Sequence, residues 1–126
     1  MLLGLFLACS NTPTQQSLTP EPSPKIVTRL VVYSGRGEAL VDELLSQAEK
    51  DLGFVIEVQY GSTSDLVTRL LTEREQSPAD VIFAQDSGHL GALASQGMLQ
   101  VLPDQILENV QPEFRDENGM WLGTSG

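Results

Sequence analysis

The chain is poor in cysteine, histidine and positive charge. Its 126 residues hold one cysteine, Cys9, one histidine, His89, and seven Lys and Arg against seventeen Asp and Glu, for a net charge of -10. A single cysteine excludes an internal disulfide, and a lone histidine without cysteine or histidine partners gives no zinc pattern. The basic residues are scattered, so the positive footprint that nucleic-acid binding needs is missing. A membrane-spanning helix takes about 20 apolar residues, which excludes a span by the short apolar start alone. No phosphate loop, His-x-x-x-His pair or Gly-x-Ser-x-Gly elbow occurs.

What is present is enough for one small domain. Hydrophobic residues make up 40% and charged residues 19%, which fits neither a disordered chain nor a membrane bundle. A first strand is expected over 29–33. A helix follows, with Leu40, Leu44, Ala48 and Leu52 at four-residue spacing and Val41 and Leu45 beside them, ending at Gly53 as a C′ residue. Residues 54–60 form a second strand. A turn over 61–65 follows, with Ser62 and Asp65 spaced as a capping box, then a helix with Leu66, Val67, Leu70 and Leu71 on its apolar face, stopping before Pro78. A third strand runs over 80–84, a short helix is closed by Gly97, another spans 103–110, and 121–124 opens a further strand. Strands separated by such helices define βαβ units: an α/β fold with a parallel, doubly wound sheet of three or four strands and right-handed crossovers.

The N-terminal segment is of a different kind. Leu2 to Ala8 is apolar and runs directly into Cys9, which resembles the bacterial lipobox, where that cysteine is acylated and becomes the mature N-terminus. The alternative is a frayed apolar end with an inert thiol. Ser10 to Lys25 carries Pro13, Pro20, Pro22 and Pro24 among Ser, Thr and Gln. Such a stretch builds no core. At about 3 Å per residue it is an extended tether on the order of 50 Å long. Three regions follow: 1–9 as a signal remnant, 10–28 as tether and 29–126 as the folded part.

The chemistry concentrates at two strand-to-helix junctions. In open α/β sheets, ligands collect beyond the carboxyl ends of strands, where helix N-termini offer free N–H groups. The first junction, Ser34-Gly35-Arg36-Gly37, adds a guanidinium fork to those amides and suits an oxyanion. The second ends in Gln85 and Asp86. Asp86 fits the N-cap of the next helix, and Ser62 and Thr63 fit caps or ligand donors. His89 reads as a surface or cleft-edge residue, Tyr33 as core, and Tyr60 as a strand-end residue beside the Gly61 turn.

Residues 32–38, 60–63, 77–86 and 91–93, in that order and spacing, resemble the N-terminal part of iron(III)-binding, periplasmic-type solute-binding proteins of ABC transporters. Residues 121–126 resemble the stretch before that family's first crossover between lobes. The resemblance covers about residues 29–126. It implies the first part of lobe 1 of a two-lobed clamshell, truncated here, that is not an enzyme and serves a permease and an ATPase. The implied ligand is Fe(III) with a carbonate-type synergistic anion. The paired tyrosines that grip iron are expected in a C-terminal part not contained in this sequence. Ser34, Gly35, Arg36, Gly37, Ser62, Thr63, Gln85 and Asp86 are the implied anion or ligand contacts. Some members carry a histidine next to the first turn and a Glu near position 85; Gly37, Glu38 and Gln85 stand here instead. Location is expected to be periplasmic or cell-surface, lipid-anchored at Cys9. Other readings are a binding protein for another oxyanion or a small organic cation, a small α/β enzyme, or a nonfunctional remnant of a split gene. Against the enzyme, Asp80 and Asp86 lie at opposite ends of one strand. An uncovered apolar face is expected to leave the chain marginally stable.

Overall fold

The computed structural model describes residues 28–124. Cys9 and nearly all of the tether lie outside the described residues. Three strands, β1 (Arg29–Ser34), β2 (Val55–Tyr60) and β3 (Val81–Phe83), form one parallel sheet in the order β2-β1-β3. They alternate with helices α1 (Glu38–Leu52), α2 (Thr63–Glu73) and α3 (Ser87–Ser95). The parallel α/β sheet read from the sequence is borne out. Thr28, assigned to the tether, already belongs to the ladder, because its carbonyl accepts the Val55 N–H at 3.2 Å.

Alternation along β1 explains the two layers. Val31 and Tyr33 point to one face and pack with Leu66, Val67 and Leu70 of α2 and Leu93 of α3. Val32 and Ser34 point to the other and are equally buried. Helix ends follow the chain's local chemistry. Gly53 closes α1 with φ 73° and donates to the Glu49 carbonyl; Ser62 caps α2 by accepting the Asp65 N–H.

Three expectations need correction. The four-residue stripe of α1 is not its core face: Leu40, Leu44 and Leu52 are exposed, and Val41, one position round the helix, is the residue buried in that helix. A spacing of four drifts round a 3.6-residue helix, so the row Val41–Leu45–Ala48, which alternates four and three, tracks the sheet better. The helix expected over 103–110 is one turn, α4 (Asp104–Leu107). The strand expected at 121–124 makes a single antiparallel bridge, Leu122 with Arg115, outside the sheet.

Tyr33 anchors a polar knot inside the fold. Its hydroxyl donates to Glu73 Oε2 at 3.0 Å, Arg69 lies over its ring at 4.8 Å, and Arg69 Nε donates to Glu73 Oε1 at 2.6 Å. Burial, then the Glu73 contact, raises the Tyr33 pKa, while the Arg69 hydrogen bond holds the Glu73 carboxyl below its ordinary range.

Candidate functional site at the carboxyl ends of the strands

Chain direction reverses at β1. The crossover through α1 leaves toward β2, and the next, through α2, returns past β1 to β3. Strand order therefore opens a crevice beyond the carboxyl ends of β1 and β3. The turn after β1 and the turn after β3 meet there.

Close packing makes this mouth. The Gly35 N–H donates to the Phe83 carbonyl at 2.8 Å, and Gln85 Nε2 donates back to the Gly35 carbonyl at 2.8 Å. Gln85 N–H donates to Thr63 Oγ1 at 3.2 Å, which brings in the start of α2. A Cβ on Gly35 would lie 3.1 Å from Thr63 Cα and Cβ and closer still to Oγ1. Glycine is thus required here by contact with α2.

The sequence-predicted residues divide accordingly. Ser34 is fully buried, and its hydroxyl donates to the Arg36 carbonyl at 2.9 Å and accepts the Arg36 N–H at 3.2 Å, so it shapes the turn. Ser62 is occupied as the α2 cap, and Thr63 is buried beneath Gly35. Asp86 is the N-cap of α3, accepting the His89 N–H at 3.0 Å. Arg36, Gln85 and Asp86 come together along one groove of about 850 Å³. The guanidinium of Arg36 lies 5.8 Å from the ring centre of Phe83, at the end of β3, within cation–π range. Gly37 is the exposed N-cap position of α1, with open space around it.

Asp80 sits at the opposite end of β3. Its Oδ2 accepts the Val31 N–H at 2.9 Å while its own N–H donates to the Val31 carbonyl at 2.9 Å, so it extends the strand ladder. Tyr60 is half exposed at the end of β2. Burial, then the carboxylates of Glu38 and Asp42, raises its pKa. Two groove residues escaped the sequence reading. Phe83 is simply the last residue of a strand. Trp121 lines the groove with its Nε1 buried and no hydrogen-bond partner among the described residues.

Ser64, His89 and Asp86 form a hydrogen-bonded row: Ser64 Oγ to His89 Nε2 at 3.2 Å and His89 Nδ1 to Asp86 Oδ2 at 2.7 Å. The row fastens α2 to α3. Asp86 is already committed as a cap, and Ser64 and His89 lie outside the groove, so the arrangement lacks the enclosed position a nucleophile needs. The His89 backbone N–H, and then its side chain, hold the Asp86 carboxyl below its ordinary range. Among the described residues, no group of three or more His, Cys, Asp or Glu is placed to hold a metal ion.

The fold and this mouth define an open parallel α/β domain with a crevice at the switch in strand order. No family model matches the chain. Over 94 residues it is 29% identical to the Fe(3+)-binding periplasmic protein of Serratia marcescens, covering 75% of this chain and 28% of that protein. Iron-bound HitA from Pseudomonas aeruginosa has the same fold over 76% of this chain and 31% of its own, with TM-score 0.74 and 30% identity. The Trichodesmium protein IdiA (FutA), in complex with iron and citrate, matches over 75% of this chain and 30% of its own, with TM-score 0.70 and 27% identity. Likeness in sequence and fold together bears out the resemblance to iron(III)-type periplasmic binding proteins. The chain spans less than a third of the length of these relatives.

Proposed function

We propose that this chain forms part of the solute-binding component of an ABC importer, taking ferric iron together with a synergistic anion as cargo. The observation that carries the reading is the position of Arg36, which lines the groove beside β3 together with Gln85 and Asp86, its guanidinium 5.8 Å from the Phe83 ring centre. The iron relatives supply the cargo, and the citrate in one of them supports an oxyanion as its companion.

In this reading the mouth holds the anion. Arg36 gives the planar fork, and the first amides of α1 beyond Gly37 give a positive helix end. Ferric iron prefers hard oxygen donors, which a second lobe with tyrosines would bring to the anion held here. An exported protein tethered through acylated Cys9 would present that cargo to a permease and its ATPase.

The anion role is tested by titrating the isotope-labelled chain with bicarbonate and with citrate. The amides of Arg36, Gly37 and Glu38 shift with saturation, and Arg36→Gln abolishes the shift. Unchanged amides at saturating anion would overturn the anion role. Incorporation of labelled palmitate, lost in Cys9→Ser, checks the anchor.

A further inference from the structure

Gln85 is held at two points, and the way it is held decides which of its atoms a ligand meets. Its backbone N–H donates to Thr63 Oγ1 at 3.2 Å, and its side-chain Nε2 donates to the Gly35 carbonyl at 2.8 Å. A side-chain amide has one arm that donates and one that only accepts. Two carbonyl oxygens repel at 2.8 Å, so the arm facing Gly35 is the nitrogen. The arms of a planar amide diverge, and Oε1 is thereby turned away from the carbonyl that Nε2 grips. Gln85 is exposed and lines the groove, which leaves Oε1 as the arm on offer there.

The neighbouring groups divide in the same way. Asp86, next in the chain, lines the same groove and is half exposed. Its contacts with His89 hold the carboxyl below the ordinary range, so it is an anion that accepts and does not donate. Arg36 follows the gripped Gly35 and brings donors only. The second hydrogen of Gln85 Nε2 is a further donor. The groove end thus mixes donors with two acceptor side chains. A ligand whose oxygens carry no hydrogen satisfies the donors but meets both acceptors oxygen to oxygen, which is repulsive. A ligand that joins an oxyanion to an O–H group satisfies both kinds.

We infer that Gln85 is a specificity-determining residue of this mouth: its Oε1 accepts a hydrogen from the ligand, and the mouth selects oxyanions that bear a hydroxyl group over those of the same charge that lack one. The inference rests on the anion reading above and goes beyond it by naming the ligand feature and the atom that reads it. Bicarbonate and 2-hydroxycarboxylates have this feature; nitrate and simple carboxylates lack it. Glutamine suits the position through both arms. An ionised glutamate would lose the bond to Gly35, whereas a lysine would keep a donor there and lose the oxygen.

The test titrates the isotope-labelled full chain with two matched pairs of anions, lactate against propionate and bicarbonate against nitrate, and reads the amide shifts of Arg36, Gly37 and Glu38. Within a pair, the hydroxyl-bearing anion is expected to bind about three- to tenfold more tightly, the worth of one hydrogen bond to a neutral acceptor. The Gln85 Cδ signal is expected to move with that anion and not with its match. Preference in both pairs supports reading of the O–H group in general, and preference in one pair assigns it to a hydroxycarboxylate or to bicarbonate. Gln85→Lys changes the affinity for both members of a pair through charge alike, so the ratio isolates the lost oxygen; it is expected to fall to within about twofold of unity. Gln85→Met, which is neutral, is expected to level the ratio in the same way. Ratios near unity in the parent, or ratios that survive both substitutions, would overturn the inference and leave the anion reading standing. Unchanged amides with all four anions would overturn the anion reading and this inference with it.

Discussion

Replacing Gly35 by alanine tests the construction of the mouth. Gly35 has no left-handed backbone to protect, so the entire cost comes from the new methyl group. It would press on Thr63, whose Cα and Cβ would lie 3.1 Å away and whose Oγ1 would be nearer still. Thr63 is buried at the start of α2, which packs against β1 and α3 and cannot yield by rotating into solvent. Overpacking of this kind costs about 1–3 kcal/mol. Displacing Oγ1 also strains the hydrogen bond it accepts from the Gln85 N–H, worth roughly 0.5–1.5 kcal/mol. Gly35→Ala should therefore destabilise by about 2–4 kcal/mol, measured by urea unfolding with Trp121 fluorescence.

Thr63→Ala removes the oxygen that meets the new methyl and costs about 1 kcal/mol through the lost bond to Gln85. In the double variant the tightest contact is gone, and only the 3.1 Å contacts remain. The two changes should then fall short of additivity by about 1–2 kcal/mol. Additivity within ~0.5 kcal/mol, or a Gly35→Ala variant as stable as the parent, would refute the account of the glycine as a contact requirement.

Other expectations follow from single interactions. Tyr33→Phe should cost roughly 0.5–1.5 kcal/mol, because it removes the hydroxyl and its bond to Glu73 but keeps the ring, while Tyr33→Ala should cost about 3–5 kcal/mol through the core cavity; both are read from urea midpoints. Arg69→Ala should raise the Glu73 carboxyl pKa, followed by carboxyl carbon shifts. The Asp86 pKa is depressed in the folded chain, so its stabilisation is present above the ordinary carboxyl range near ~3.9 and is lost as pH falls through the lower folded value. Asp86→Asn, which keeps a cap acceptor, should flatten that acid limb in stability measured against pH. Gly119→Ala should cost more than Gly53→Ala. Both have positive φ, but a Cβ at 119 would also sit 2.8 Å from Leu107 Cδ1, whereas 53 is open; thermal midpoints compare them. Glu38→Gln should strengthen bicarbonate or citrate binding by about two- to fivefold, since it removes a negative charge from the α1 N-terminus, and should lower the Tyr60 pKa in an absorbance titration.

Much of the fold was legible because it rests on local signals. Apolar runs at 30–32 and 81–83 reported strands, Gly53 a helix end, and Ser62 and Asp86 caps, each decided by residues within a few positions. What the sequence did not show depends on neighbours far along the chain. The exposure of Leu40, Leu44 and Leu52 follows from how α1 is turned against the sheet, and periodicity alone does not fix that angle. The site was legible as a place and less so in its roles. Residues 34–37 and 85–86 do converge, but the sequence offered no means to learn that Ser34 faces inward to its own turn or that Thr63 lies under Gly35. Trp121 was unreadable for the same reason, since its surroundings come from β3, some forty residues earlier.

The division of labour within the mouth bears on how it can bind anything. Ser34, Ser62, Thr63 and Asp86 each have a side-chain oxygen bonded within the fold, and Gln85 donates through its side-chain nitrogen to the Gly35 carbonyl. These bonds hold the two junctions and the start of α2 in one fixed arrangement, so the cost of ordering the mouth is met before a ligand arrives. One source of positive potential lines the groove end, the Arg36 guanidinium, and the amides at the start of α1 lie next to it in the chain. Against them stands Glu38, whose carboxylate occupies the same helix end and already satisfies part of its dipole. A weakly charged anion held by Arg36 alone would be loosely bound under that opposition. On the proposed reading, an anion that also bridged to a cation would gain its main stabilisation from that cation and would leave with it. On the proposed reading, the balance of one guanidinium against one carboxylate would suit release as much as capture.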